Sequence, residues 1–158
     1  MTARSKKARI GVVAGVSLLA TTVITGFEGK ENKAYRDIVG VPTICQGLTE
    51  GVKIGDYKTD AECDALFLKT LAVFEDGVLR CTPMMGDQPP KRLVAMVSHA
   101  YNVGVFAYCK STMARKLNAG DIKGACNELP KWTRAGGKIV FGLVRRRAAE
   151  RAMCLEGL

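Results

Sequence analysis

Phe27-Glu28-Gly29, followed after Lys30 to Lys33 by Ala34-Tyr35-Arg36-Asp37-Ile38-Val39-Gly40-Val41-Pro42-Thr43, is the stretch from which the rest of this chain can be ordered. On its amino-terminal side lies a run of 18 uncharged residues, Ile10 to Phe27, which ends at the carboxylate of Glu28. On its carboxy-terminal side, glycines at 40, 47, 51 and 55, Pro42 and β-branched residues at 38, 39, 41, 43 and 44 predict a short hairpin or a three-stranded lobe. Glu28 therefore stands between an apolar segment and a β lobe, with Asp37 and Thr43 on the lobe.

Beyond the lobe the pattern changes to helical periodicity. Thr59 followed by Glu62 has the spacing of a capping box, and Leu66, Leu68, Leu71, Val73, Phe74 and Val78 continue a helix to about Leu79. Pro89 and Pro90 introduce a second helix through Val94, Val97 and Tyr101, Ser111 caps a third, and Asp121 opens a short one ending at Pro130. The glycine pair Gly136-Gly137 precedes a last helix carrying Leu143, Ala148, Ala152 and Leu155. The expected class is α+β, mostly α: a helical body with one small β lobe and a hydrophobic helix at the amino terminus. A cleft between lobe and body is a natural ligand site.

Arg4, Lys6, Lys7 and Arg9 precede the apolar run without an acidic residue, so the start of the chain is expected in the cytoplasm and the body outside it. Only nine of the 18 residues are strongly apolar, and a helix of this length reaches roughly 27 Å, barely the hydrocarbon thickness. A marginal membrane anchor, one able to leave the bilayer, fits this composition. A cleaved signal peptide competes with it, although Leu18 stands two residues before Ala20 where a small residue is wanted.

From position 28 onward, 20 basic residues face 15 acidic ones. That surplus suits an anionic polymer or lipid surface, or simply a lysine-rich solvated exterior. Zinc-finger spacings, a phosphate-cradling glycine loop and a base-stacking aromatic strand are all missing, which argues against nucleic acid. Six single cysteines, at 45, 63, 81, 109, 126 and 154, lack the close pairing of a structural zinc site, so no metal is expected. Behind an export-like segment they suggest disulfides, with buried free thiols as the alternative and 15 pairings open.

Cleavage of a glycosidic bond needs a protonated acid at the leaving oxygen and a second carboxylate for water or the sugar. Glu28 and Asp37 can fill these roles if the first ends a helix and the second lies across a groove, with Glu28 kept protonated in a drier setting. The Thr43 hydroxyl can position water beside Asp37. Carboxylates at such a separation are common on surfaces, and the chemistry alone does not decide.

The wider pattern resembles the phage lysozymes of glycoside hydrolase family 24, which show Glu, eight residues, Asp, five residues, Thr. The likeness continues through Cys45, Gly47, the run Ser98 to Gly104, Trp132, Gly136-Gly137-Lys138, Gly142-Leu143, Arg146-Arg147 and Glu150. With the weak anchor included, the chain is similar to signal-arrest-release endolysins of lambdoid phages. The resemblance implies a lysozyme-like fold and two regions, a signal-arrest-release segment over 1–27 and a catalytic domain over 28–158. It implies a muramidase that hydrolyses the β-1,4 bond between N-acetylmuramic acid and N-acetylglucosamine with inversion. No cofactor is implied, nor any partner beyond bacterial peptidoglycan and, through residues 10–27, the host inner membrane; the molecule is expected to be a monomer. The body would sit inactive in the periplasm until the anchor is released. Glu28 becomes the general acid, Asp37 the carboxylate assisting water and Thr43 its positioning partner.

The same resemblance brings Arg146 towards the catalytic glutamate; an ordinary helix ion pair with Glu150, four residues on, explains Arg146 equally well. Asn102 is expected either to line the cleft or to end its helix. Gln46 and Leu48 stand where close relatives tend to carry histidines, and His99 takes a usually aromatic place, with a core or helix-surface role expected for it. The order of segments suggests pairing Cys81 with Cys109 and Cys126 with Cys154, while Cys45, near the site, leaves a thiol-based control open. Two other activities remain in view: a lytic transglycosylase, and a non-enzymatic wall-binding or membrane-disrupting protein.

Overall fold

A computed structural model describes residues 19–37 and 39–158. Residues 10–18 of the expected anchor lie outside the described residues, and among those described no helix is long and apolar enough to cross a membrane. Residues 19–28 form helix α1. Ala20, Val23, Ile24 and Phe27 follow the i, i+3, i+4, i+7 rule for one helical face, and Ala20 and Ile24 are buried in the main core with Val23 against it. The end of the apolar run is thus core-forming in this conformation.

The β lobe is a hairpin of β1 (Glu31–Arg36) and β2 (Pro42–Cys45), antiparallel, with Tyr35 opposite Thr43 and Arg36 opposite Pro42. A single bridge between Lys33 and Tyr57 extends it on the other side of β1. Ala34, Ile44, Cys45 and Cys63 form a small separate apolar cluster under the lobe, with Leu48 and Val52 packed on it. The Cys45–Cys63 disulfide joins β2 to the following helix, so Cys45 is not a free thiol here.

Helix α2 (Asp60–Cys81) starts with the expected reciprocal cap: Glu62 N–H donates to Thr59 Oγ1, and Glu62 Oε2 accepts from Thr59 N–H. Helix α3 (Pro90–Val103) has nine consecutive buried residues, Arg92 to Ala100, as a helix surrounded on all sides must. Around it stand α4 (Val105–Cys109), α5 (Thr112–Asn118), α6 (Ile122–Cys126) and α7 (Phe141–Leu155). Ser111 and Asp121 cap α5 and α6 through Ala114 N–H and Gly124 N–H. Helix α6 stops at Cys126 and a 3-10 turn, Leu129–Lys131, completes the segment that was expected to be one helix to Pro130. The pairs Cys81–Cys109 and Cys126–Cys154 are bonded, tying α2 to α4 and α6 to α7.

The expectation of a single β lobe is corrected by a second hairpin, β3 (Arg134–Ala135) and β4 (Lys138–Ile139), turned by Gly136-Gly137. Both glycines have positive φ, 55° and 77°, which a two-residue hairpin turn of this kind requires.

Helices α2 and α4 approach closely at Gly77: a Cβ there would lie 2.7 Å from both methyl carbons of Val105. Gly77→Ala is therefore expected to cost about 1–3 kcal/mol through overpacking, despite its better helix propensity. Urea unfolding checks this, and adding Val105→Ala should recover most of the loss.

Candidate active site

Glu28 is the last residue of α1. Gly29, with φ 73°, stops the helix and its N–H returns to Thr25 O at 2.9 Å, which releases the chain towards the β lobe. The Glu28 side chain is 25% exposed, and its Oε1 accepts from Arg146 Nη1 at 2.5 Å. The Arg146 guanidinium also lies 5.0 Å from the Phe27 ring centroid, a cation–π contact that holds the same end of α1.

Asp37 follows β1 directly. Its Oδ1 accepts from Val39 N–H at 3.0 Å and Val41 N–H at 2.8 Å, while Gly40, with φ 84°, donates its N–H to Asp37 O. Asp37 thus builds the turn in which it sits. Thr43 is buried on β2 and donates Oγ1–H to Val41 O at 3.0 Å. Tyr35 links these positions electrostatically: burial raises its pKa first, and the charges of Glu31, Glu28 and Asp37 raise it further. Glu28 and Asp37 accordingly act on one neighbourhood at the β1 end of the lobe.

Beside Glu28 a groove of 490 Å³ runs between the loop after β2 and α2, lined by Ile44, Gly47 to Val52, Leu66, Thr70, Phe74 and Tyr101 among others. Glu28, Asp37 and Thr43 are not among the residues that line it. The connection is at Gly47, where a Cβ would meet Glu28 Oε2 at 3.8 Å and the Tyr101 hydroxyl at 3.9 Å. Tyr101 donates its O–H to Gln46 O at 2.7 Å and so pins the lobe to α3. Burial and the nearby Glu28 charge push its pKa up, which keeps it a neutral donor. Gln46 is buried and donates Nε2–H to Asp64, so its side chain faces α2.

Arg146 reaches both Glu28 and Glu150. Its Nε donates to Glu150 Oε1 at 3.2 Å, and its Nη2 donates to Ser98 O at 3.0 Å. Neighbouring Arg147, 1% exposed, contacts His99 Nδ1 through Nη1 and donates Nη2–H to Asn102 Oδ1 at 2.9 Å. Asn102 is therefore an acceptor for Arg147, near the carboxy-terminal end of α3. His99 is a core residue, edge-on to Trp132 at 5.0 Å, and burial followed by the charges of Arg147 and Arg146 lowers its pKa to about 3. Burial draws Arg147 down to about 10, opposed first by Glu150.

The sequence gives Arg147 no visible role, because its importance arises from α3 partners about 45 residues away. Among the described residues no group of three or more His, Cys, Asp or Glu side chains is gathered as a metal site.

Residues 25–150 match the Phage lysozyme family. The chain belongs to the phage lysozyme family. Among relatives of this phage lysozyme, the SAR-endolysin of Bacteriophage PS119 is 40% identical over 166 residues, covering 98% of both chains. Among solved structures, the active form of the P1 phage endolysin Lyz aligns with a TM-score of 0.79 at 28% identity, covering 96% of this chain and 93% of its own. The secreted inactive form of the same endolysin aligns with a TM-score of 0.53 at 28% identity, over 68% of this chain and 76% of that one. The chain is thus more similar in arrangement to the active form.

Proposed function

We propose that this phage lysozyme is an endolysin, a muramidase that hydrolyses the β-1,4 bond between N-acetylmuramic acid and N-acetylglucosamine in host peptidoglycan. Glu28 donates the proton to the leaving oxygen, Asp37 assists the attacking water and Thr43 positions that water or the turn that carries Asp37. The observation that carries this reading is the placement of Glu28: it ends a helix, stands beside Gly47 of a 490 Å³ groove, and is held by a buried guanidinium. The family match and the full-length likeness to an endolysin support it.

Residues 10–27 act as the signal-arrest-release segment within 1–27, with the amino terminus in the cytoplasm and the 28–158 body in the periplasm. While the segment is inserted, Ala20, Ile24 and Phe27 are withheld from the core and Glu28 is withheld from Arg146, so the enzyme is silent. Release lets α1 dock. The packing of Ala20 and Ile24 and the greater likeness to the active P1 endolysin support this reading.

Mass spectrometry of fragments from purified peptidoglycan tests the chemistry. Hydrolysis is expected to leave reducing muramic ends that borohydride converts to alditols, with the inverted anomer appearing first by NMR. Anhydro-muramic ends, lighter by one water and inert to borohydride, would instead mark a lytic transglycosylase.

A further inference from the structure

Glu150 belongs to no step described so far, yet it is the most enclosed carboxyl in the site, 0% exposed on α7. Two hydrogen-bond donors and one ion-pair partner converge on it. Ser98 Oγ donates to Oε1 at 2.6 Å, Arg146 Nε donates to Oε1 at 3.2 Å, and Arg147 Nε stands 3.1 Å from Oε2. His99 Nδ1, at 4.0 Å from Oε2, is already used by Arg147 and is neutral. Ser98 and Arg146 both donate to Oε1 while Arg147 pairs with Oε2, so Glu150 is held from both sides; burial pushes its pKa up, and Arg147, Ser98 and Arg146 oppose that shift. Two guanidiniums, Arg146 and Arg147, thus stand against two carboxyl groups, Glu28 and Glu150.

The arrangement has a direction. Arg146 uses one edge, Nε, on Glu150 and the opposite end, Nη1, on Glu28, with Nη2 anchored on the Ser98 carbonyl. A planar guanidinium fixed at Nε and Nη2 cannot swing, so the position of Nη1 is set from behind. Glu28 itself is the last residue of α1, and its side chain is held there by Arg146.

From this geometry we infer that Glu150 is a positioning residue for the reaction: it locks Arg146, and through Arg146 it sets where the Glu28 carboxyl stands against the glycosidic oxygen. Ser98 is the third member of this support, since its hydroxyl fixes the Glu150 oxygen that Arg146 uses. This inference rests on the proposed role of Glu28. A misplacement of the order of 1 Å at the acid can cost about 100-fold in rate without contact to the sugar.

The test is a double-mutant cycle on the full-length released protein, with kcat and KM measured on soluble glycan-chain fragments. Glu150→Gln is expected to lower kcat about 100-fold while KM stays unchanged, because no substrate contact is removed. In an Arg146→Met background the same substitution should cause no further loss of kcat, since the residue through which it acts is gone. Ser98→Ala, which leaves both charges in place, should lower kcat by a smaller factor with KM again unchanged, and it decides the matter if Glu150→Gln does not fold. A folded Glu150→Gln with wild-type kcat, additive losses in the cycle, or a Ser98→Ala enzyme of full activity would each overturn the inference. Activity of Glu28→Gln reports separately on the role of Glu28: an inactive Glu28→Gln beside an additive cycle removes only the positioning role.

Discussion

Glu28→Gln is expected to abolish peptidoglycan hydrolysis while leaving the fold intact. The substitution is nearly isosteric, and the amide oxygen can still accept from Arg146 Nη1, so the end of α1 stays docked. What disappears is the transferable proton, and general acid catalysis of this kind contributes about 10²- to 10⁴-fold. Turbidity loss of purified cell walls should fall by at least that factor, with an unchanged near-ultraviolet circular dichroism spectrum as the control for folding. Retained lysis by a folded Glu28→Gln protein would sink the muramidase reading and favour a non-enzymatic, membrane-disrupting basic protein.

Much of this site can be anticipated from local sequence. The distance from Glu28 through Asp37 to Thr43 spans one helix end and one hairpin, and both have strong local signals: Gly29 as a helix stop, and Gly40 and Pro42 around a turn. The capping box at Thr59 and Glu62, the proline start of α3 and the caps at Ser111 and Asp121 are equally local. Such features depend on residues three or four apart and survive translation into three dimensions.

The remainder depends on tertiary partners. An uncharged run with Ala20, Val23, Ile24 and Phe27 at helical spacing has the same sequence signal whether its face meets lipid or the core, and the structure buries Ala20 and Ile24 of that face in the core. Arg134-Ala135 and Lys138-Ile139 are too short and too exposed to show strand alternation, so the hairpin at Gly136-Gly137 is hidden behind a signal that also suits a loop. Asp37 gains a second occupation, as acceptor for Val39 and Val41 N–H, which spacing alone does not disclose. The buried Arg147 is legible only once His99, Asn102 and Glu150 are brought around it.

Arg146→Met is expected to have the largest effect on stability. Arg146 is 5% exposed on its side chain and stands between a fully enclosed carboxyl, Glu150, and a partly enclosed one, Glu28. Methionine fills much of the volume but leaves Glu150 with one fewer cation and the Ser98 carbonyl without its donor. Breaking one member of a buried pair in this way costs about 3–5 kcal/mol, far more than the pair would be worth against a well-packed apolar set. The urea midpoint, measured with disulfides intact, should drop accordingly. Arg146→Lys separates charge from geometry: a single ammonium keeps the positive charge yet cannot span Glu28, Glu150 and the Ser98 carbonyl together. Its midpoint should therefore lie between those of wild type and Arg146→Met, while its hydrolysis rate falls nearly as far as that of the methionine variant. A methionine variant as stable as wild type would mean that the charges around Glu150 are solvated well enough to do without Arg146. In the methionine variant Glu150 still balances the buried Arg147, so adding Glu150→Gln should not return the lost stability, and neither change restores activity.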